Sequence, residues 1–341
     1  MAHITLNKNN FFNNLDIIAK QTKSKDKIAL VLKDNAYGHG LLEVAKMAKE
    51  YGIKKAVVNN CEEALQIEKY FEYILVLADV PYPKSTSSPS LTAQIKSNKI
   101  RYTINDVNFI NKFPHATKVE LKVDTGMHRN GIKMDELKDA ILKIKEQGLV
   151  LEAVFTHHRS ADELSSEWFW QNENFTKVKK ELLACGLNDI KFHSSNSASL
   201  FRHVDFSEDM ARVGIAAYGC LELPSAFEQP NLKPVLSVYA NKISSRILKK
   251  GEAIGYGGTF VAEDDCIVSN YDFGYGAGFL RISSNNYITP DAKRLVGRIS
   301  MDNSSFICAD EKILIFDDAR EMAKSAQTIP YEVLTSLKIS K

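Results

Sequence analysis

IALVLKDNAYGHGLLEVAKMAKEYG, residues 28–52, sets the pattern from which the fold is read. Five apolar residues, Ile28 to Leu32, run without a polar interruption, the signature of a strand buried on both faces. Lys33 ends that run, and Asp34, Asn35, Tyr37, Gly38, His39 and Gly40 follow at once. The glycines suggest a close backbone approach or a helix start. GLLEVAKMAKEYG then reads as an amphipathic helix. A cation placed where a buried strand ends needs a reason. The commonplace one is a lysine whose stem lies on apolar surface while its amine reaches water. The chemical one is an amine that loses its proton on desolvation and condenses with a carbonyl.

The same rhythm recurs seven more times. KKAVVN (54–59), YILVLAD (73–79), IRYTI (100–104), KVELKVD (118–124), LVLEAVFTH (149–157), IKFHSS (190–195) and ARVGIAAYG (211–219) are β-rich runs. Helical stretches follow most of them: CEEALQIEKYF, a stretch beyond the Pro-rich turn VPYPKSTSSP, NDVNFINKF with Asn105 or Asp106 as N-cap, MDELKDAILKIKEQG, a long helix from about 162 to 185, and NSASLFRH. Strands alternating with helices predict parallel strands with crossover helices. Eight of them in about 200 residues favour a closed (β/α)8 barrel of the TIM type, with an open doubly wound sheet as the alternative. From residue 224 onward, short β runs are separated by Gly, Asn and Asp turns, and AREMAKSAQ is the one late helical stretch. The expected organisation is a barrel over 11–223 and a mostly β domain over 224–341, joined by the first ten or so residues.

Composition narrows the class of partner. Hydrophobic residues make up 44% and charged residues 25% of the 341, with a net charge of +2. That balance gives no basic stripe for nucleic acid and no acidic tail. Apolar runs fall short of the ~18 residues a membrane helix needs, and the N-terminus lacks the pattern of a signal peptide. Five scattered cysteines suit reduced thiols in a cytoplasm better than a disulfide framework. Neither C-x-x-C nor H-E-x-x-H occurs, so no metal is predicted.

In a barrel, polar residues at the carboxyl ends of strands face the active-site mouth. Lys33, Lys122, Asp124, Arg129, His157, His193, Asn196, Ser197, Arg212 and Tyr218 all stand at or near such ends. Any one of them is more simply a solvated loop residue; their joint position at one face is the signal. Ser197 and the backbone near Gly214 could hold a phosphate where late barrel strands often do, and Tyr37 offers a hydroxyl to an anion. Gly274-Tyr275-Gly276-Ala277-Gly278 lacks the spacing and βαβ setting of a dinucleotide loop and reads as a turn. Trp168 and Trp170 read as packing residues.

Taken in order, VLKDNAYGHG (31–40), KVDTGMHRNGI (122–132), FTHHRSAD (155–162), HSSNSAS (193–199), ARVGIAAYG (211–219), GYGGTF (255–260), VGRISMD (296–302) and TIPYE (328–332) closely resemble the signatures of bacterial alanine racemases. These are fold-type III enzymes that use pyridoxal 5′-phosphate (PLP). The resemblance covers nearly the whole chain. It implies racemisation of L- and D-alanine in the cytoplasm to supply peptidoglycan, and a head-to-tail homodimer with shared active sites. It implies that Lys33 forms a Schiff base with PLP and serves as one catalytic base, with Tyr256 as the other. Tyr37, Asn196, Ser197, Gly214, Ile215 and Tyr331 would bind the cofactor, mostly at its phosphate. Arg212 would face the ring nitrogen with His157 behind it. Arg129 and the Met301 backbone would take the substrate carboxylate. Lys122, at a position that can be carbamylated in relatives, Tyr275, Arg281 and Asp302 would support the site.

The chain departs from the family pattern in places. The acidic residue of G-Y-A-D-G is missing from 274–278, and Ser300 stands where many relatives have Cys. The family's last basic, Pro-containing strand is absent after TIPYEVLTSLKISK, which implies a smaller β domain. The altered turn motivates a rival reading, a racemase acting on serine or other small amino acids. A non-catalytic PLP-binding protein is the rival from another class. It would resemble the barrel half alone, and GYGGTF and VGRISMD count against it. A fold-type III decarboxylase would carry a Cys-based motif that is not found here.

Overall fold

The computed structural model describes residues 1–79 and 97–339. The helical stretch expected beyond VPYPKSTSSP lies outside these residues. The chain enters through β1 (His3–Leu6) and the helix Lys8–Thr22, whose N-cap Asn7 accepts the Asn10 N–H. Eight parallel strands follow: β2 (Ile28–Val31), β3 (Lys55–Val58), β4 (Tyr73–Val76), β5 (Ile100–Ile104), β6 (Lys118–Lys122), β7 (Val150–Phe155), β8 (Lys191–His193) and β9 (Ala211–Val213). Each pairs with the next in sequence from β2 to β8, and β9 pairs with β2. The remaining seam is closed by Arg212 N–H to the Ser195 carbonyl (2.9 Å) and Asp209 N–H to the Phe192 carbonyl (3.2 Å).

This is the (β/α)8 barrel. The open alternative fails because a doubly wound sheet reverses its strand order at a switch point, and here the order runs on without reversal. β2 and β4 are buried at every residue, as their unbroken apolar runs require. β6, β8 and β9 instead send Glu120, His193 and Arg212 into buried positions.

Two helical expectations are corrected. NDVNFINKF forms only a 3-10 run, Val107–Lys112, with Asp106 rather than Asn105 as its cap. The long helix is Glu167–Ala184, not 162–185. The Arg202 guanidinium donates to the carbonyls of Ser160, Ala161 and Glu163 at 3.2–3.3 Å, holding that stretch as a loop and delaying the helix.

Beyond the barrel the strands are antiparallel. The 13-residue β10 (Leu236–Leu248) is the spine. β11 (Ala253–Ile254) and β12 (Phe260–Val261) form a small ribbon. β13 (Cys266–Tyr271), β14 (Arg294–Leu295), β15 (Ser304–Ile307) and β16 (Lys312–Phe316) complete the layer, with β1, β13 and β16 all pairing to β10. Two short helices follow, Ala319–Ser325 and Pro330–Ser336. The second docks on the barrel mouth. A Cβ on Gly38, whose φ is +74°, would stand 2.1 Å from the Leu334 carbonyl oxygen. The same segment is tied to the β domain by Lys338 N–H to the Ala277 carbonyl (3.1 Å) and Ser336 Oγ to the Gly278 carbonyl (3.1 Å).

Candidate active site

The lysine turn after β2 is left-handed. Asp34, Asn35, Ala36 and Tyr37 hold φ of +54°, +55°, +54° and +51°. Such a conformation costs about 1–2 kcal/mol for each residue with a Cβ. Specific bonds sustain it: Asp34 N–H to Glu63 Oε1 (2.8 Å), Gly40 N–H to the Asn35 carbonyl (3.0 Å) and Leu41 N–H to Asn35 Oδ1 (2.8 Å). The other Glu63 oxygen accepts Asn59 N–H at 2.9 Å. The turn leaves the Lys33 side chain partly exposed, 3.7 Å from Asp34, and buries Tyr37.

Both residues line one cavity of about 520 Å³ at the barrel mouth. Lys122, Arg129, His157, Asn196, Ser197, Arg212, Gly214, Ile215 and Tyr331 line it too. Among the described residues the lining carries four cations, Lys33, Lys122, Arg129 and Arg212, against one carboxylate, Asp34, so it favours an anionic guest.

One end is a hydroxyl cluster. The Tyr37 and Tyr331 rings lie 5.8 Å apart. Burial, then the neighbouring Tyr331 and Asp34, push the Tyr37 phenol far above its usual range; burial does the same to Tyr331. Both therefore act as neutral donors. Ser197 Oγ accepts Gly214 N–H (3.1 Å) and Ala216 N–H (3.3 Å), which leaves its own proton to donate. A Cβ on Gly214 would lie 2.7 Å from the Tyr37 hydroxyl, so only glycine keeps this corner open. Asn196 plays a local part, its Oδ1 capping the short helix Ser197–Leu200 through Ser199 N–H (2.9 Å).

The back wall is Arg212. Its Nη2 donates to the carbonyls of Thr156 (2.7 Å) and Ser194 (3.1 Å), and Nη1 donates to His193 Nδ1. Burial lowers its pKa to about 10, which still leaves it charged at neutral pH. His157 Nδ1 lies 3.4 Å from Nη2; burial and then this guanidinium hold that imidazole well below the usual histidine range, hence neutral.

The third wall is Lys122 and Arg129. Asp124 Oδ1 accepts the N–H groups of Gly126, Met127 and His128 at 2.9, 2.9 and 3.1 Å, folding the turn that carries Arg129. Burial, then Arg212 and Arg129, push the Lys122 amine down to about 8.

Tyr256, Tyr275, Arg281, Met301 and Asp302 are not brought to this cavity within the chain. Tyr256 lines a separate cleft of about 550 Å³ on the β domain, with Arg298, Ser300 and Asn303. Tyr256 is 67% exposed and Met301 57%. The Tyr275 turn is clamped to the Met301 loop by Tyr275 N–H to the Ser300 carbonyl (3.0 Å) and Gly276 N–H to the Met301 carbonyl (2.8 Å). Arg281 Nε reaches the Ile299 carbonyl at 3.3 Å, and Asp302 stays exposed.

Two contributors, Glu208 and Glu120, were not singled out from sequence, and a third, Trp170, was read there as a packing residue. Trp170 covers Gly126, where a Cβ would come within 2.2 Å of its ring. Glu208 accepts the N–H groups of Ser194 (2.8 Å) and Ser195 (3.0 Å) and so shapes the 193–197 loop. Glu120 sits in KVELK, where charged residues alternate with Val119 and Leu121; that alternation reads as a solvated strand face and hides its burial.

Fold and cavity together define a barrel protein whose mouth offers a strand-end amine, neutral hydroxyl donors and guanidinium groups to a small anionic guest. The family comparisons place it further. The model for the alanine racemase N-terminal domain matches residues 6–222 and that for the C-terminal domain matches 235–340. The alanine racemase of a Nitratiruptor species is 44% identical, aligned over 99% of this chain and 97% of the relative. Among solved structures, the alanine racemase from Bacillus anthracis with bound L-Ala-P is similar with a TM-score of 0.87 at 26% identity, covering 99% of this chain and 92% of that one. Alanine racemase from Bartonella henselae with covalently bound pyridoxal phosphate gives 0.82 at 25%, covering 98% and 97%. The chain belongs to the alanine racemase family, whose members are PLP-dependent isomerases.

Proposed function

We propose that this chain interconverts L- and D-alanine with PLP held at Lys33. Lys33 and Tyr256 serve as bases on opposite faces of the α-carbon, and Tyr256 comes from a second copy in a head-to-tail homodimer. The observation that carries the reading is the single cavity that joins Lys33, the hydroxyl cluster and a buried guanidinium. The donor set fits the cofactor: Tyr37, Ser197, Tyr331 and the Gly214–Ile215 backbone suit a phosphate, and Arg212 suits a ring nitrogen. PLP supplies the electron sink that makes the α-proton acidic. Arg212, remaining charged, discourages protonation of that nitrogen and so favours returning the proton to the α-carbon over side reactions. Arg129 and the Met301 backbone bind the substrate carboxylate. The exposure of Tyr256 and Met301 supports their use across a dimer interface. All five cysteines are free, and among the described residues no helix is long and apolar enough to cross a membrane. The free thiols suit a reducing cytoplasm, and membership of the alanine racemase family supports a role in supplying D-alanine for peptidoglycan. Incubating the protein with PLP and L-alanine is expected to yield equal amounts of both enantiomers by chiral chromatography. No turnover of alanine defeats the reading. Faster turnover of serine would transfer it to the broader racemase that Ala277, standing where the family's acidic residue is expected, leaves open.

Lys122 supports the site in a specific way. With its pKa near 8, a substantial share of the amine is neutral at mildly alkaline pH and attacks dissolved CO2. The ammonium first gives up one proton; the neutral nitrogen then bonds to the CO2 carbon as a C=O electron pair shifts onto oxygen, and a second proton leaves, so that a cation becomes a carbamate anion beside Arg129. Carbon-13 NMR of the intact, folded protein in labelled bicarbonate is expected to show a carbamate carbon that Lys122→Gln abolishes. Lys122→Gln is expected to raise KM for alanine roughly tenfold, the loss of about one charge-assisted hydrogen bond. An unlabelled Lys122 with unchanged KM removes this role. Without the modification, the unfolded chain retains a proton that the folded one has shed between about 8 and ~10.4, so stability rises with pH across that window.

A further inference from the structure

A polar chain runs through the barrel interior behind Arg212. Glu120 on β6 and His193 on β8 have side chains 1% and 0% exposed. His193 Nε2 lies 2.9 Å from Glu120 Oε2, and the other Glu120 oxygen accepts the Tyr73 hydroxyl. On its far side, His193 Nδ1 meets Arg212 Nη1. A guanidinium can only donate, so Nδ1 must accept and the imidazole proton must sit on Nε2, aimed at the carboxylate. Phe155 stacks on His193 at 4.7 Å and lies 5.0 Å under the Arg212 guanidinium, fixing both planes.

Two features separate this chain from an ordinary buried ion pair. Barrel interiors are normally filled by branched apolar side chains, which would serve stability as well or better. And three side-chain hydrogen bonds run in series, from Tyr73 through Glu120 and His193 to Arg212. Lys55, Glu152, Lys191 and Asp209 border the carboxylate at the opposite end of the barrel from the cavity, and Arg101 lies over the Tyr73 ring at 4.7 Å.

We propose that Glu120 is a positioning residue for the racemase site: through His193 it fixes the orientation of Arg212 and, together with the buried Glu208, supplies negative charge that offsets the guanidinium. This rests on the function proposed above, and deepens it. With the carboxylate in place, Arg212 keeps its direction while its field on the bound cofactor is moderated. Without it, the positive potential rises, and a protonated linkage between Lys33 and the cofactor becomes harder to keep.

The test uses holoenzyme forms of the wild type, Glu120→Gln and Glu120→Asp. The pH midpoint of the bound cofactor's visible absorbance is expected to fall by about one unit in Glu120→Gln, the effect of deleting a unit charge on the order of 10 Å away at an effective dielectric constant of ~20. kcat is expected to fall at least tenfold with KM for alanine changed less than twofold, and Glu120→Asp is expected to recover most of both. A Glu120→Gln enzyme with wild-type midpoint and kcat overturns the proposal. Should that variant not fold, nitrogen NMR of wild-type His193 decides: a proton on Nε2 supports the chain, and one on Nδ1 overturns it. A wild-type protein with no cofactor absorbance at all overturns the functional reading instead, and this proposal with it.

Discussion

Lys33→Ala is expected to lower racemisation of alanine by at least about 10⁴-fold while the protein still folds and still takes up PLP. The size follows from losing two functions at once, the covalent anchor and one of the two bases, each of which is commonly worth orders of magnitude. Stability should change little, because the Lys33 side chain is partly exposed and its nearest charged neighbour is Asp34 at 3.7 Å, a pair of the weak surface kind. Cofactor uptake should survive because the hydroxyl cluster at Tyr37, Ser197 and Tyr331 is untouched. The competing amine is Lys122, which lines the same cavity and whose proton burial loosens. The surroundings argue against it: Lys122 is crowded by the charges of Arg212 and Arg129, whereas Lys33 opens the left-handed turn that carries Tyr37 into the hydroxyl cluster. Borohydride reduction of the wild-type holoenzyme followed by peptide mapping is expected to mark Lys33. A mark on Lys122 would reassign the anchor, and an active Lys33→Ala would end its catalytic role.

The barrel was legible in sequence because parallel strands are buried on both faces and so leave uninterrupted apolar runs, of which Ile28–Val31 is the plainest. The residues after those runs were legible for the same reason, since a polar group just past a buried strand must face the mouth. What was hidden is local. Nothing in DNAY announces four successive left-handed residues, because their conformation is imposed by Glu63 and by the helix Pro330–Ser336 docking against Gly38. The delayed start of the helix Glu167–Ala184 depends on Arg202, which is remote in sequence and donates to the carbonyls that precede it. His193 was visible at a strand end and Glu120 was hidden in the alternating run KVELK; their partnership joins residues 73 positions apart and needs the closed barrel.

Tyr256→Phe is expected to reduce kcat by about 10²–10⁴-fold, the usual worth of a general acid or base, with PLP binding and melting temperature close to wild type. The hydroxyl is on a side chain 67% exposed in the isolated chain, where substitutions ordinarily change stability by less than ~0.5 kcal/mol. A residue so exposed, on a cleft of its own, acts on the barrel cavity of another copy or not at all. Co-expression of Lys33→Ala with Tyr256→Phe separates the cases. In a head-to-tail dimer each site takes its lysine from one chain and its tyrosine from the other. A mixed dimer then holds one site lacking both groups and one site that is intact. Random pairing makes about half of the dimers mixed, so about a quarter of wild-type activity should return although each variant alone is nearly inactive. If instead Tyr256 served its own chain's cavity, no pairing could assemble an intact site, and the mixture would stay as inactive as its parts.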